Sequence, residues 1–150
     1  MPRRILLTGA AAAVGLLAAA QLLRPEMSNP QADPARCLWN DTRVDPKVAT
    51  VLRRACADCH SHETVWPWYS HLSPVNWLIA RDVAKGRRKL NFSQWKGGSQ
   101  NVWEEIVDAL DKGNMPPRQY VWMHPEARLS EAEIKLIESW VDGGMQAARP

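Results

Sequence analysis

The chain has 150 residues, which is enough for one domain with an additional segment and too few for two domains. Its formal net charge is +3, and removing Arg3 and Arg4, the only charged residues among the first 20, leaves 3 − 2 = +1. This balance argues against a nucleic-acid partner, which requires a strongly basic face. The aromatic residues are eight Trp, two Tyr and one Phe, and indole rings can either fill a core or line a large flat apolar ligand.

The first predicted element is the apolar run Ile5–Leu23, which directly follows Arg3 and Arg4. A basic segment before an apolar one is typical of an export signal, and Ala18–Ala20 provides small residues for cleavage. The run continues past that point and is just long enough to span a bilayer as a helix. We therefore expect residues 1–24 to be an uncleaved anchor, with a cleaved signal peptide as the alternative.

After a proline-containing linker or ordered wrap at residues 25–44, residues 45–147 show the apolar spacing of amphipathic helices. No alternating strand pattern of convincing length is present, so the predicted fold is all-α. The connections at 61–72 and 87–100 are long, as expected where a chain packs around a bound group. The four predicted helices begin at Asp45-Pro46, at Ser73-Pro74, near Asn101 and at Ser130, whose capping box includes Glu133, and the last three are predicted to end at Gly86, Gly113 and Gly143-Gly144.

The end of the first predicted helix carries Cys56, Cys59 and His60 in a CxxCH pattern. A redox dithiol is expected at the start of a helix among strands, and a zinc clamp needs further Cys or His at finger-like spacing. Haem attachment fits better, because thiols three residues apart on a helical turn can reach both vinyl groups while the histidine reaches the iron. Export also fits, since bacteria attach haem covalently outside the inner membrane.

An iron bound by His60 needs a ligand on its other side, and Met115 is the first candidate. Pro116 and Pro117 stiffen the backbone beside it, and Met/His ligation is the cytochrome c pattern. Core filling is the ordinary role of a methionine. The alternative ligands are Met123, His124 and His71.

The chain from about Val48 to Gly143 carries a set of further motifs: CADCHS at 56–61, ET at 63–64, WPWYS at 66–70, PVNWL at 74–78, DV at 82–83, GR at 86–87, LNFSQW at 90–95 and MPP at 115–117. In these motifs it resembles the small bacterial haem-binding domains related to cytochrome c. The resemblance implies one covalent haem c per chain inside a cytochrome c-like bundle of about four helices. Cys56, Cys59 and His60 carry over directly as attachment residues and iron ligand, and Met115 by its place in the MPP segment.

Beside the resemblance, the aromatic motifs suggest a wall for the haem, with an indole N–H or the Tyr69 hydroxyl binding a propionate. Filling of loops is the simpler alternative. A carbonyl in the turn at 66–68 or near Pro74 is a candidate acceptor for the second ring nitrogen of His60. Cys37 is expected to remain unpaired. The predicted wall residues are Trp66, Trp68, Tyr69, Trp77 and Trp95.

Together these features predict a monohaem c-type carrier of single electrons in the bacterial periplasm, exchanging electrons with periplasmic or inner-membrane redox proteins. We expect it to be anchored to the inner membrane, or soluble in the periplasm if the leader is cleaved. A haem-based sensor with a labile sixth ligand is the alternative. We do not expect an enzyme, because the chain has one CxxCH and no distal His/Arg pair at the spacing of a peroxidase.

Overall fold

The computed structural model describes residues 2–97 and 100–147, and within these residues it contains seven α-helices and no β-strand. The prediction of an all-α domain is confirmed. Short 3₁₀ turns at 34–36, 38–40, 68–71, 92–94 and 125–127 interrupt the connections. The helices are α1 (Pro2–Ala20), α2 (Pro46–Ala55), α3 (Ala57–His60), α4 (Val75–Lys89), α5 (Gln100–Asp111), α6 (Arg118–Met123) and α7 (Glu131–Ala147).

The N-terminal apolar run forms α1, and its described side chains are exposed along almost the whole helix. Within the described residues, none of the helices combines the length and the apolar character that crossing a membrane requires. The end of α1 is hydrogen-bonded to the start of α4: Ser73 Oγ donates to the Ala20 carbonyl at 3.0 Å, and Trp77 Nε1 donates to the Leu23 carbonyl at 2.8 Å.

The segment between α1 and α2 is an ordered wrap on the domain. Leu38 is completely buried and Val44 nearly so, and both belong to the main hydrophobic core. Asp45 then caps α2, its carboxylate accepting from the Lys47 amide at 2.7 Å, with Pro46 in the first turn as predicted. The other buried members of the core are Val48, Val51, Leu52, Phe92, Trp95, Trp103, Leu110, Ile137 and Val141.

The four predicted helices correspond to α2, α4, α5 and α7, and α3 packs against α4 while α7 packs against both α2 and α5. The predicted capping box of α7 is confirmed: the Ser130 amide donates to the Glu133 carboxylate at 2.9 Å, and the Glu133 amide donates to Ser130 Oγ at 3.3 Å. Gly113 follows α5 with φ +60°, a left-handed conformation that suits glycine, so the predicted end of α5 is also confirmed.

Three predicted helix boundaries are wrong: the start of α4, the end of α4 and the end of α7. Helix α4 begins at Val75 with Pro74 as its N-cap. The Ser73 oxygen caps no backbone amide of the helix: it donates to the Ala20 carbonyl and accepts from the Asn76 side chain, each at 3.0 Å. Gly86 lies inside α4, and Gly144 lies inside α7. Both glycines allow a close approach of another segment rather than a stop: a Cβ on Gly86 would lie 2.4 Å from the Cys59 carbonyl oxygen, and a Cβ on Gly144 2.7 Å from Trp103 Cζ2.

Candidate functional site

The CxxCH segment forms a single helical turn directly after α2. Cys56 is the residue between α2 and α3, and its carbonyl accepts from the amides of Cys59 at 3.2 Å and His60 at 3.0 Å. The two thiols and the imidazole are therefore fixed on one turn of backbone. Both cysteines are free thiols with part of their surface exposed.

This turn forms one side of a cavity of about 740 Å³. Cavities of about 300–1,000 Å³ with apolar walls and a few convergent polar groups are typical of small-molecule and cofactor sites. Cys56, Cys59, His60 and Met115 all line it, so the structure brings together the two predicted attachment cysteines and the two predicted iron ligands. The other lining residues come mainly from α2, α4, α5 and the segment 113–120. The apolar ones include Leu52, Leu90, Phe92, Val102, Ile106, Ala109, Leu110 and Ile137, and charged side chains that include Arg81, Asp82, Lys85, Lys89, Glu105, Asp108 and Lys112 also line the cavity.

The imidazole of His60 is held in one tautomer. Its Nδ1 lies 3.0 Å from the Leu90 carbonyl oxygen, and because a carbonyl only accepts, Nδ1 must carry the proton and donate. The lone pair is then on Nε2, the nitrogen left for a metal. Burial lowers the pKa of His60, which favours the neutral form that ligates.

The acceptor for His60 differs from both predicted positions, the turn at 66–68 and the vicinity of Pro74. It is Leu90, the residue immediately after α4. Carbonyls at the end of a helix lack partners within the helix and are free to accept from elsewhere. The end of the second predicted helix could have indicated this acceptor. Because that end was predicted at Gly86, four residues too early, Leu90 was not considered.

Gly86 sets the distance between α4 and the CxxCH turn at residues 56–60, which is termed the attachment turn after its predicted role. It is buried, and the missing side chain lets its backbone contact the Cys59 carbonyl, as the 2.4 Å distance from a Cβ shows. On the same helix, Arg87 is half-buried: its guanidinium donates to the carbonyls of Ser61 and Ser28, each at 2.8 Å. Helix α4 is thereby fastened both to the turn and to the wrap.

Cys56 and Cys59 are protonated at neutral pH. Burial raises the pKa of Cys56 to about 12 and that of Cys59 to about 11. Both side chains are therefore reduced S–H groups in this structure. The third cysteine, Cys37, is a buried free thiol in the wrap, and burial raises its pKa as well.

Met115 reaches the cavity from the other side, just after α5. The amides of Asn114 and Met115 donate to the Ala109 carbonyl at 3.0 and 3.3 Å, which holds the backbone of the segment against the end of α5. The Met115 side chain is 40% exposed. Of the four residues considered for this position, all of them described, Met115 lines the cavity and Met123, His124 and His71 do not.

The structure does not bring the five predicted wall aromatics to the cavity. Trp68 is 73% exposed, Trp77 donates to Leu23, and Trp66 lies half-buried in the loop after α3. Trp95 belongs to the core, where its ring lies 5.3 Å from Trp103, so tryptophan density reflects core packing there. Tyr69 donates to His124 Nε2 at 2.7 Å and has no role in lining the site.

Sequence reasoning missed two cavity residues that form a short polar contact. The Tyr120 hydroxyl donates to the Asp58 carboxylate at 2.7 Å. Asp58 stands between the two cysteines, and Tyr120 lies on α6, a helix that the periodicity did not predict. Burial and the neighbouring carboxylate of Asp58 raise the pKa of Tyr120, so the phenol stays a donor.

The residues present fit a haem: two thiols and an imidazole with a free Nε2 share one cavity with a thioether. No curated protein and no solved structure matches the chain. A family model described as a haem-binding domain matches residues 15–143, which include the whole cavity and most of the chain. The chain is a member of this haem-binding domain family.

Proposed function

We propose that this protein is an exported monohaem c-type cytochrome that carries single electrons. The observation that supports this most is the meeting of Cys56, Cys59, His60 and Met115 in one cavity, with His60 Nε2 left free by the hydrogen bond to Leu90. Membership of the haem-binding domain family supports haem as the cofactor. The four side chains support covalent attachment and ligation by a histidine and a methionine.

Cys56 and Cys59 would bind the haem covalently as thioethers, one haem per chain, because the chain has a single CxxCH. His60 and Met115 would ligate the iron. The bound haem supplies an iron couple that gains or loses one electron. Burial keeps the His60 imidazole neutral, and the hydrogen bond to Leu90 orients it. Apolar side chains of the cavity, among them Leu52, Phe92 and Ile137, would contact the haem.

We propose a carrier rather than an enzyme, because ligation by His60 and Met115 leaves no iron position for a substrate. Its partners would be redox proteins of the periplasm or the inner membrane. The leader Arg3–Leu23 supports export, and the exposed apolar helix α1 supports contact with the membrane. Mass spectrometry of the N-terminus after expression of the full chain in a bacterium, with cell fractionation, tests export and cleavage at Ala18–Ala20 together.

The experiment that tests the carrier is an absorption spectrum of the full chain, matured in a periplasm with haem-attachment machinery. We expect haem that stays attached after denaturation, a low-spin spectrum, and the weak far-red band of methionine-to-ferric-iron charge transfer. Cys56→Ser with Cys59→Ser should abolish the covalent attachment. A matured chain without covalent haem would overturn the c-type proposal, while a high-spin spectrum would overturn Met115 as a firm ligand.

A second candidate function, a haem-based sensor, is favoured by one observation: only two residues separate Met115 from α6, and α6 has six residues and no side-chain cap. A thioether on a weakly held segment is more easily displaced than one on a closely packed segment. In this case the ferrous protein would bind carbon monoxide rapidly at low concentration, whereas a firm carrier would resist it. The rate of carbon monoxide binding therefore distinguishes the two.

A further inference from the structure

Asp58 joins the attachment turn to two other segments of the chain. The Val65 amide donates to its Oδ1 at 2.8 Å, and the Tyr120 hydroxyl donates to its Oδ2 at 2.7 Å. Its backbone carbonyl also accepts from Thr64 Oγ1 at 2.6 Å. Both carboxylate oxygens of Asp58 are thus used, one toward the loop after α3 and one toward α6.

Helix α6 carries few features that would fix its position on its own. It has six residues, no side-chain cap and no buried residue, and a helix so short is unstable in isolation. Among the described helices and turns, its backbone packs closely only against the turn at 125–127. Its place beside the attachment turn therefore depends on side-chain contacts, of which Tyr120 to Asp58 is one.

The second such contact lies one turn further along. The His124 Nδ1 faces the Glu126 carboxylate at 3.1 Å and must donate to it, so in the neutral imidazole Nε2 accepts from the Tyr69 hydroxyl at 2.7 Å. The rings of His124 and Tyr120 are stacked, 4.4 Å apart and 19° from parallel. The two phenols thus attach α6 to the chain around CxxCH, and only Tyr120 lines the cavity.

Met115 is connected to α6 through a very short segment of backbone. Pro116 and Pro117 are the only residues between Met115 and the first residue of α6, and two prolines transmit position stiffly. On the other side, the Met115 backbone is held by the Ala109 carbonyl. The orientation of the thioether is therefore set at one end by α5 and at the other by α6.

We propose that the hydrogen bond between Tyr120 and Asp58 positions Met115, holding the segment 115–117 against the cavity so that the thioether stays on the iron. This inference rests on the proposed ligation by Met115. Tyr120 is then a positioning residue. Asp58, which lies between the two cysteines, acts on Met115 through Tyr120.

The test is an imidazole titration of the full haem-loaded chain and of Tyr120→Phe, which removes the hydroxyl and keeps the ring. Added imidazole competes with Met115 for the iron. A hydrogen bond to a charged group contributes about 1.5–3 kcal/mol, so its loss should tighten apparent imidazole binding by about tenfold or more. Asp58→Asn is the second variant, which still accepts from Val65 but presents no anion to Tyr120, and it should shift binding in the same direction.

Two controls separate positioning from general destabilisation. Trp122→Phe changes an aromatic residue of the same helix that is 82% exposed, and it should leave imidazole affinity unchanged. In a Met115→Ala background, Tyr120→Phe should have no effect on imidazole affinity, because no thioether remains to be positioned.

The outcomes are distinguishable. If the unmodified protein shows the far-red methionine band and Tyr120→Phe binds imidazole as the unmodified protein does, the positioning role is wrong and the carrier proposal stands. An equal tightening with Met115 absent would also overturn it. If the unmodified protein lacks the band, Met115 ligation itself fails and the positioning role falls with it.

Discussion

The two sides of the cavity are built in different ways. On the attachment side, Cys59 and His60 lie on a turn that contacts α4 through Gly86 and Leu90, with backbone atoms in direct contact. On the opposite side, Met115 is 40% exposed and follows a helix end, and the next helix has no buried residue. The first side is fixed by close packing and the second by a few hydrogen bonds. For the proposed haem site, this difference predicts a permanent iron ligand at His60 and an exchangeable one at Met115.

The largest effect that would break this comparison is expected at Gly86. In Gly86→Ala the new methyl group would lie 2.4 Å from the Cys59 carbonyl oxygen, so α4 and the turn must separate. Overpacking of this kind costs about 1–3 kcal/mol. We expect the free energy of unfolding of the haem-free chain, measured by urea denaturation, to fall by that amount, and the yield of covalent haem to fall with it.

The matched control is Gly143→Ala, also inside a helix, where a Cβ would meet nothing within 4 Å. It should leave stability unchanged or raise it by about 1 kcal/mol, since alanine favours helix over glycine. Equal destabilisation by both changes would contradict the role of Gly86 as a point of close packing.

A smaller effect on the attachment side is expected from pH. Burial lowers the pKa of both His60 and His62, so the folded chain keeps these imidazoles neutral where an unfolded chain, with a pKa of about 6.5, takes up protons. The unfolded state then binds more protons than the folded state, and stability is lost as pH falls through about 6.5. The slope for each histidine cannot exceed about 1.4 kcal/mol per pH unit.

Urea denaturation of the haem-free chain between neutral and mildly acidic pH measures this slope. His62→Gln should reduce it, because its imidazole accepts from the Asn91 side chain through Nε2 at 3.0 Å and loses that bond on protonation. The variant's own stability at neutral pH serves as the reference. An identical slope in His62→Gln and in the unmodified chain would contradict a neutral His62 in the folded state.

The parts of the fold that sequence reasoning predicted are those encoded over a few neighbouring residues. The thiols and the imidazole of CxxCH share one turn, and the caps at Asp45 and Ser130 act within three residues. These patterns have the same meaning in any surroundings. For that reason the cofactor class and the starts of α2 and α7 were within reach.

The parts that were not predicted depend on residues far apart in the chain. Leu90 is 30 residues from His60 and Tyr120 is 62 residues from Asp58, and no local period reveals either pair. A glycine that ends a helix and one that admits a neighbouring backbone look the same in a sequence, as Gly86 shows. Tryptophan is equally ambiguous, because a large apolar ring serves a core as well as a cofactor, and Trp95 is in the core.

The smallest effect on folding, and the sharpest test of the exchangeable side, is expected for Met115→Ala. Because the side chain is 40% exposed, its loss should change the free energy of unfolding of the haem-free chain by less than about 1 kcal/mol. The spectrum of the haem-loaded chain should nevertheless lose its far-red band, and the chain should bind imidazole and carbon monoxide readily.

Met123→Ala is the matched control, since Met123 is 55% exposed and does not line the cavity. A far-red band that survives in Met115→Ala but disappears in Met123→Ala would move the ligand to α6, and a large loss of stability in Met115→Ala would mean that this side is held by packing, as the attachment side is.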